Sequence, residues 1–203
     1  IPESDRLMGQ HVVKALSDVT QGEAIITTGV GQHQMWAAQH YQFKNANSWL
    51  SSGGSGTMGY EVPSAIGAQV GNPDSLVWSI CGDGGFQMTM MELATAAENG
   101  LPVKYAILNN NHLGMITQWQ AFFYNEDYQA ETYSGNPDFV KLAEAYGIKG
   151  IRVTKQDELE SAINEANNHE GPVVVDFVIE KVDDVYPMIP AGQSIEELIE
   201  EPN

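Results

Sequence analysis

Residues 79–87 read "SICGDGGFQ" and close an apolar run that begins at Leu76. Leu76-Val77-Trp78-Ser79-Ile80-Cys81 shows no polar–apolar alternation, which predicts a strand buried on both faces. The run stops at Gly82-Asp83-Gly84-Gly85, where a carboxylate stands among glycines. A second apolar run, VKYAIL at 103–108, ends in Asn109-Asn110-Asn111. Two buried strands thus end in hard oxygen donors.

Further apolar, β-branched runs lie at 24–28, 148–153 and 172–179, with a weaker one at 48–51. Between them, helical patterns cover 5–18, 33–41, 62–70, 87–99, 113–123, 137–146, 157–168 and 194–200. Asn136-Pro137-Asp138 and Thr154 to Asp157 read as helix entries, Gly100 and Gly147 as helix exits. Strands alternating with helices predict one α/β domain over residues 1–203. Its mostly parallel six-stranded sheet carries helices on both faces.

In such a sheet, ligands sit beyond the carboxyl ends of the strands. Asp83 and Asn110 fall there. The glycines let backbone approach a ligand closely, and helix starts offer N–H groups to an anion. Two oxygen ligands beside such backbone describe a site for Mg²⁺ and a diphosphate. GDG alone would read as an Asp helix cap. The Asn pair ending the next strand shifts the balance to a metal site.

Composition narrows the partners. The 203 residues carry 27 Asp and Glu against 9 Lys and Arg, a net charge of −18. So acidic a surface repels phosphate backbones and anionic lipid, which argues against nucleic acid and membrane. Acidic residues thicken after Asp157, and a tail from about residue 181 ends in "SIEELIEEPN". The lone Cys81 lies in an apolar strand and reads as a small buried hydrophobe, not a nucleophile. No apolar run is long enough to span a bilayer. The opening "IPESDRLMG" lacks an initiator Met and a signal peptide, as expected of a fragment or a processed chain.

GDG followed by the Asn pair resembles the thiamine diphosphate motif of the family that includes pyruvate decarboxylase and acetolactate synthase. "TTGVGQHQMWAAQ" (27–39), "SGGSGTMGYEVPSAIGAQV" (52–70), "LNNNHLGMITQWQ" (108–120) and "NPDFVKLAEAYGIKGIRV" (136–153) resemble the C-terminal diphosphate-binding domain of the acetohydroxyacid synthases. The resemblance covers nearly the whole chain and implies the three-layer thiamine diphosphate-binding fold. It implies Asp83 and Asn110 as side-chain Mg²⁺ ligands, with His112 supplying a backbone carbonyl. It implies Gln32, His33, Gly84 and Gly85 at the diphosphate, and Met58 beneath the bent cofactor. Gly56 would accept from the 4′-amino group, and Val30, Gly31, Leu113 and Gly114 complete the cofactor-binding set. Met115 and Trp119 would line the substrate channel. By spacing alone Met58, Met115 and Trp119 read as packing, as do Trp36, Trp49 and Trp78.

One position departs from the family. Glu61 stands where a small Gly is common, and a local ion pair or a water-facing side chain is expected of it. The resemblance also implies what lies elsewhere: an N-terminal pyrimidine-binding domain, whose glutamate drives the chemistry and which a partner subunit contributes, and a middle FAD domain. No catalytic residue is therefore expected within 1–203, and the isolated chain is expected to be inactive. The implied whole enzyme is a transferase of branched-chain amino acid biosynthesis. It decarboxylates pyruvate and joins the hydroxyethyl carbanion to pyruvate or 2-oxobutyrate. A homo-oligomer is implied, with a possible small regulatory subunit, in the cytoplasm or in an organelle. Three rival readings remain. Gly54-Ser55-Gly56-Thr57-Met58-Gly59 fits a GxGxxG nucleotide motif, although no acidic residue follows at the usual distance. The others are a different thiamine diphosphate enzyme and a catalytically inert assembly domain.

Overall fold

The computed structural model describes residues 1, 4–132, 135–181 and 183–201. The last two residues of the acidic tail lie outside the described residues. Six strands form one sheet: β1 (Ile25–Thr28), β2 (Trp49–Ser51), β3 (Val77–Gly82), β4 (Lys104–Asn109), β5 (Lys149–Val153) and β6 (Val173–Val178). The order is β2-β1-β3-β4-β6-β5 and every pairing is parallel. The expected fold class is present, with a sheet that is wholly parallel.

The continuous apolar runs are the central strands. β4 is buried at every residue, and so is β3 up to Gly82, because helices cover both faces. On one face pack α1 (Gly9–Val19), α2 (Gln32–His40) and α8 (Leu159–Asn167), around Leu16, Trp36, Trp78 and Phe177. On the other pack α3 (Glu61–Gly71), α4 (Asp83–Thr89), α5 (Leu93–Glu98) and α7 (Phe139–Ala145), around Phe86, Tyr105 and Phe139. The Phe86 ring meets Phe139 edge-on at 5.6 Å. α6 (Gly114–Phe123) follows β4 past the sheet's carboxyl end. Trp36 and Trp78 are core as expected. Trp49, on the edge strand β2, is 40% exposed and stacks on Phe43.

Three expectations need correction. The helix expected over 87–99 begins at Asp83 and breaks into α4, a 3₁₀ turn at Met90–Glu92, and α5. Gly84 and Gly85 lower local helix propensity, but burial of Phe86 decides the matter. α1 starts at Gly9, not residue 5. The helix expected over 194–200 is a single 3₁₀ turn at Ile195–Glu197, because it buries no residue. The exits at Gly100 and Gly147 hold, with φ of +59° and +71°. Asp138 caps α7 by accepting from Lys141 N–H.

Lys104 opens β4 and is 1% exposed. Its ammonium donates to the carbonyls of His169 and Gly171, each at 2.7 Å. Burial pulls its pKa down to about 8. Between that value and the ordinary Lys range the native state holds fewer protons than the unfolded chain, so stability rises with pH there. Lys104→Met would leave both carbonyls without this donor, so it should cost stability, and its deficit against wild type should widen as pH climbs from about 7 to 10.5. Urea denaturation across that range measures the trend.

Candidate functional site

β1 has β2 on one side and β3 on the other, so the chain reverses its winding direction between β1 and β3. The crevice beyond the carboxyl ends of strands at such a reversal is where open α/β sheets bind ligands. A cavity of about 280 Å³ opens there. Its wall comes from the segments that follow β1, β3 and β4, with Gly56 and Met58 from the loop before α3. All fourteen residues of the expected cofactor-binding set line it. Trp36, Gly82, Leu108, Ile116 and Ile179 line it too, which sequence reasoning did not single out. Gly82 and Leu108 are paired partners in the β3–β4 register, and that pairing brings the ends carrying Asp83 and Asn110 together.

Asp83 is the first residue of α4 and is 2% exposed. Its Oδ1 accepts from Gly84 N–H at 2.8 Å. Its Oδ2 accepts from Asn111 N–H and from Asn136 Nδ2, each at 2.7 Å. Burial pushes the carboxyl up to about 6 against the opposing pull of these donors. A cation at the carboxylate would favour the charged form further. Asn111 sits in the left-handed region at φ +59°, which Asn tolerates. That turn lets Asn110 Oδ1 accept from His112 N–H. His112 bridges to Thr132 as an antiparallel pair.

Gln32 and His33 open α2 and are both buried. Both amide protons of Gln32 go to protein acceptors, Gln118 Oε1 at 2.9 Å and Asp183 O at 2.8 Å. Gln32 therefore ties α2 to α6 and to the segment after β6. A Cβ at Gly114 would overlap Gln32 Oε1, which explains glycine there. The Trp119 ring does not line the cavity. It lies one helical turn beyond Met115 on the same face of α6 and packs on Phe123 at 5.1 Å.

Glu61 does not face water, one of the two outcomes expected of it. It is the first residue of α3 and wholly buried. Its carbonyl accepts from Thr27 Oγ1 at 2.9 Å and Ser79 Oγ at 3.0 Å, which pins the helix start onto β1 and β3. The side chain then has no route to water. Its carboxylate lies against the bare backbones of Gly29 and Gly85, where a Cβ would overlap it. Among the described residues neither oxygen has a hydrogen-bond partner.

Behind Asp83 runs a polar network that sequence reasoning missed. Asn136 Nδ2 donates to Asn109 Oδ1 at 2.8 Å as well as to Asp83. Asn109 Nδ2 donates to Asp176 Oδ1 at 2.9 Å. Arg152 Nε donates to Asp176 Oδ2 at 3.0 Å, and its Nη2 to Asp138 Oδ1 at 2.6 Å. The pattern Asn-Pro-Asp signals only a helix entry, and the pairing needs the tertiary fold. Asn136→Ala would leave acceptors of Asp83 and Asn109 each short of one donor. It should cost about 1–3 kcal/mol, measured by urea denaturation, while Asn136→Gln should recover little because its amide reaches one methylene too far.

The donor set suits a hard cation. Among the described residues no three His, Cys, Asp or Glu side chains cluster for a metal. What the cavity offers instead is the Asp83 carboxylate, the Asn110 amide oxygen and nearby backbone carbonyls. Those oxygens suit a hard cation such as Mg²⁺, which Asp83 and Asn110 would hold. No helix among the described residues is long and apolar enough to cross a membrane.

Comparison with known proteins adds to this geometry. The family model "Thiamine pyrophosphate enzyme, C-terminal TPP binding domain" matches residues 29–177. The mitochondrial acetolactate synthase catalytic subunit of Saccharomyces cerevisiae is 50% identical over 197 residues, covering 96% of this chain and 28% of that protein. The acetolactate synthase large subunit of Corynebacterium glutamicum is 49% identical over 195 residues, covering 94% of this chain and 31% of that protein. The chloroplastic acetolactate synthase 2 of Nicotiana tabacum is 45% identical over 205 residues, covering 97% and 31%. The chain spans about a third of the length of the relatives it matches. With the matched segment running from the end of β1 to the end of β6 and enclosing most of the cavity wall, the chain belongs to the thiamine pyrophosphate enzymes, as their C-terminal cofactor-binding domain.

Proposed function

We propose that this chain is the thiamine diphosphate- and Mg²⁺-binding domain of an acetolactate synthase. The observation that carries the reading is the meeting of Asp83 and Asn110, from neighbouring strand ends, at a glycine-lined cavity in the β1–β3 crevice. Asp83, Asn110 and the His112 carbonyl would hold Mg²⁺. The backbone of Gly84, Gly85 and Gly31, on the cavity wall, would meet the diphosphate. Met58, Met115, Ile116 and Ile179 supply the apolar surface on which an organic ring system would rest. The bound cofactor supplies an electron sink for decarboxylation and carbon–carbon bond formation. The chain's part is to hold it in place and keep water from its apolar side.

The reading assigns pyruvate and 2-oxobutyrate as substrates. The activating glutamate and an FAD site would belong to other domains, and the cavity would be closed by a pyrimidine-binding domain of a partner subunit. Support for assembly comes from the exposed Ile116, Phe123, Tyr124 and Tyr128 on and after α6, a grouping of apolar side chains suited to another protein surface. Trp119 and Phe122 are half-buried at the base of that group. A homo-oligomer fits the reading, and a small regulatory subunit is compatible with it. The compartment follows the host, since relatives are named as mitochondrial and chloroplastic. A nucleotide-binding reading of Gly54–Gly59 has less support, because the family model assigns the region to thiamine diphosphate.

Two outcomes test the reading. Asp83→Ala in the intact protein should abolish Mg²⁺-dependent thiamine diphosphate binding, measured by calorimetry; unchanged affinity would sink the metal assignment. Trp119→Leu should erode the preference for 2-oxobutyrate over pyruvate as acceptor, by roughly 1–3 kcal/mol of discrimination. Competition assays read this as the product ratio, and a wild-type ratio would leave Trp119 as packing for α6.

A further inference from the structure

Glu61 faces His33, and the proposed cofactor reading, which places His33 at the diphosphate, gives Glu61 no part. The Glu61 carboxylate is wholly buried and His33 is 5% exposed. Glu61 Oε1 lies 3.9 Å from His33 Nε2. That is outside hydrogen-bond range, yet a shift of about 1 Å would close it. Glu61 Oε1, Glu61 Oε2 and His33 Nε2 are all buried without a hydrogen-bond partner among the described residues. An orphaned buried carboxylate facing an orphaned ring nitrogen is costly as two separate groups and much less so as one hydrogen-bonded unit. The other ring edge, Nδ1–Cε1, packs against Gly31 and Gly82, both on the cavity wall.

We propose that Glu61 is the positioning residue for His33: the pair shares one proton that keeps an Nδ1–H aimed into the cavity as a donor to an anionic ligand, so that anion binding draws this proton in. The proposal rests on the thiamine diphosphate reading, which already places His33 at the diphosphate, and adds Glu61 as the group that decides which ring nitrogen carries hydrogen. The proton balance is simple. With the shared proton present, either a neutral carboxyl donates to Nε2 or a carboxylate accepts from an imidazolium. In both cases Nδ1 carries hydrogen. Without it, the neutral imidazole turns Nε2–H to the carboxylate and presents a lone pair at Nδ1, which repels an anion.

The surroundings support a proton held by these two groups alone. Burial pushes Glu61 up to about 7; N–H groups of Glu61 and Gly59 oppose this but do not reach hydrogen-bond geometry. Burial alone lowers His33, to about 4. From the packed elements, β1 offers no ionisable residue, and the residues α1 buries are Gly9, Gln10, Val12, Val13, Leu16 and Ser17. α5 buries Leu93 and Ala96. On β3, the Cys81 thiol is raised by burial and by the charge of Glu61. On α4, Asp83 has both oxygens engaged by Gly84, Asn111 and Asn136.

The test is thiamine diphosphate affinity of the intact protein at saturating Mg²⁺, from about pH 6 to 9, by calorimetry in buffers of different ionisation enthalpy. The ligand's own titration is common to both proteins, so the variant-to-wild-type ratio is the readout. Wild type should take up about one more proton than Glu61→Gln above pH 7. Its affinity should fall about tenfold per pH unit relative to that variant. Equal proton uptake with a flat ratio overturns the proposal. If Glu61→Gln does not fold, nitrogen NMR of the labelled His33 imidazole in the wild-type complex decides: a protonated Nδ1 is expected, and an unprotonated one overturns the pair. Failure of wild type to bind at any pH overturns the cofactor reading instead.

Discussion

The 2.7 Å hydrogen bond from Asn111 N–H to Asp83 Oδ2 joins the ends of two neighbouring parallel strands. Parallel pairing alone sets β3 beside β4 in register but leaves free the chain that runs off their carboxyl ends. This bond closes the gap. It holds the carboxylate at the start of α4 and the left-handed turn at Asn111 in one fixed relation. Remove it, and neither the turn nor the helix start has a reason to face the crevice. The side-chain oxygens of Asp83 and Asn110 then have no common target.

The three asparagines divide their work by strand geometry. Successive residues at a strand end point to opposite sides. Asn109 turns towards β6 and joins Asn136, Asp176 and Arg152. Asn110 turns into the cavity. From β4 the chain steps out to the edge strand β5 and then back to β6, so the sheet has a second place where its winding reverses. The one at β1 carries the cavity. The one at β6 is filled by paired polar side chains, with Asp176 buried and Arg152 answering its charge. The second braces the first, since Asn136 belongs to both.

The strands were legible because β3, β4 and β6 are buried on both faces, and burial of that kind writes an unbroken apolar run. The glycines around Asp83 marked a close approach of backbone, and the apolar run before them placed it at a strand end. The start of α4 was hidden for the same reason, since two glycines argue against helix until Phe86 finds Tyr105 and Phe139. Glu61 was misread because hydropathy sends a lone carboxylate to the surface. Its burial is imposed from outside its own neighbourhood, by hydroxyls on β1 and β3 that grip its carbonyl. Asn136 was illegible in its functional sense, since its partners lie 53 and 27 residues away. Gly29, Gly85 and Gly114 make room for named side chains, and no local pattern says which.

The sheet order has a consequence for how the chain is made. β5 precedes β6 in the sequence, yet it touches the sheet only through β6. As the polypeptide leaves the ribosome, residues 149–153 emerge with no edge to join and wait for 173–178. At synthesis rates of about 5–20 residues per second, that interval is on the order of one to a few seconds. During it, β4 also presents an unfilled edge. The nascent chain thus carries two complementary strand edges that must not find each other, because their intended separator is still being translated. α8, encoded between them, is drawn out in this interval.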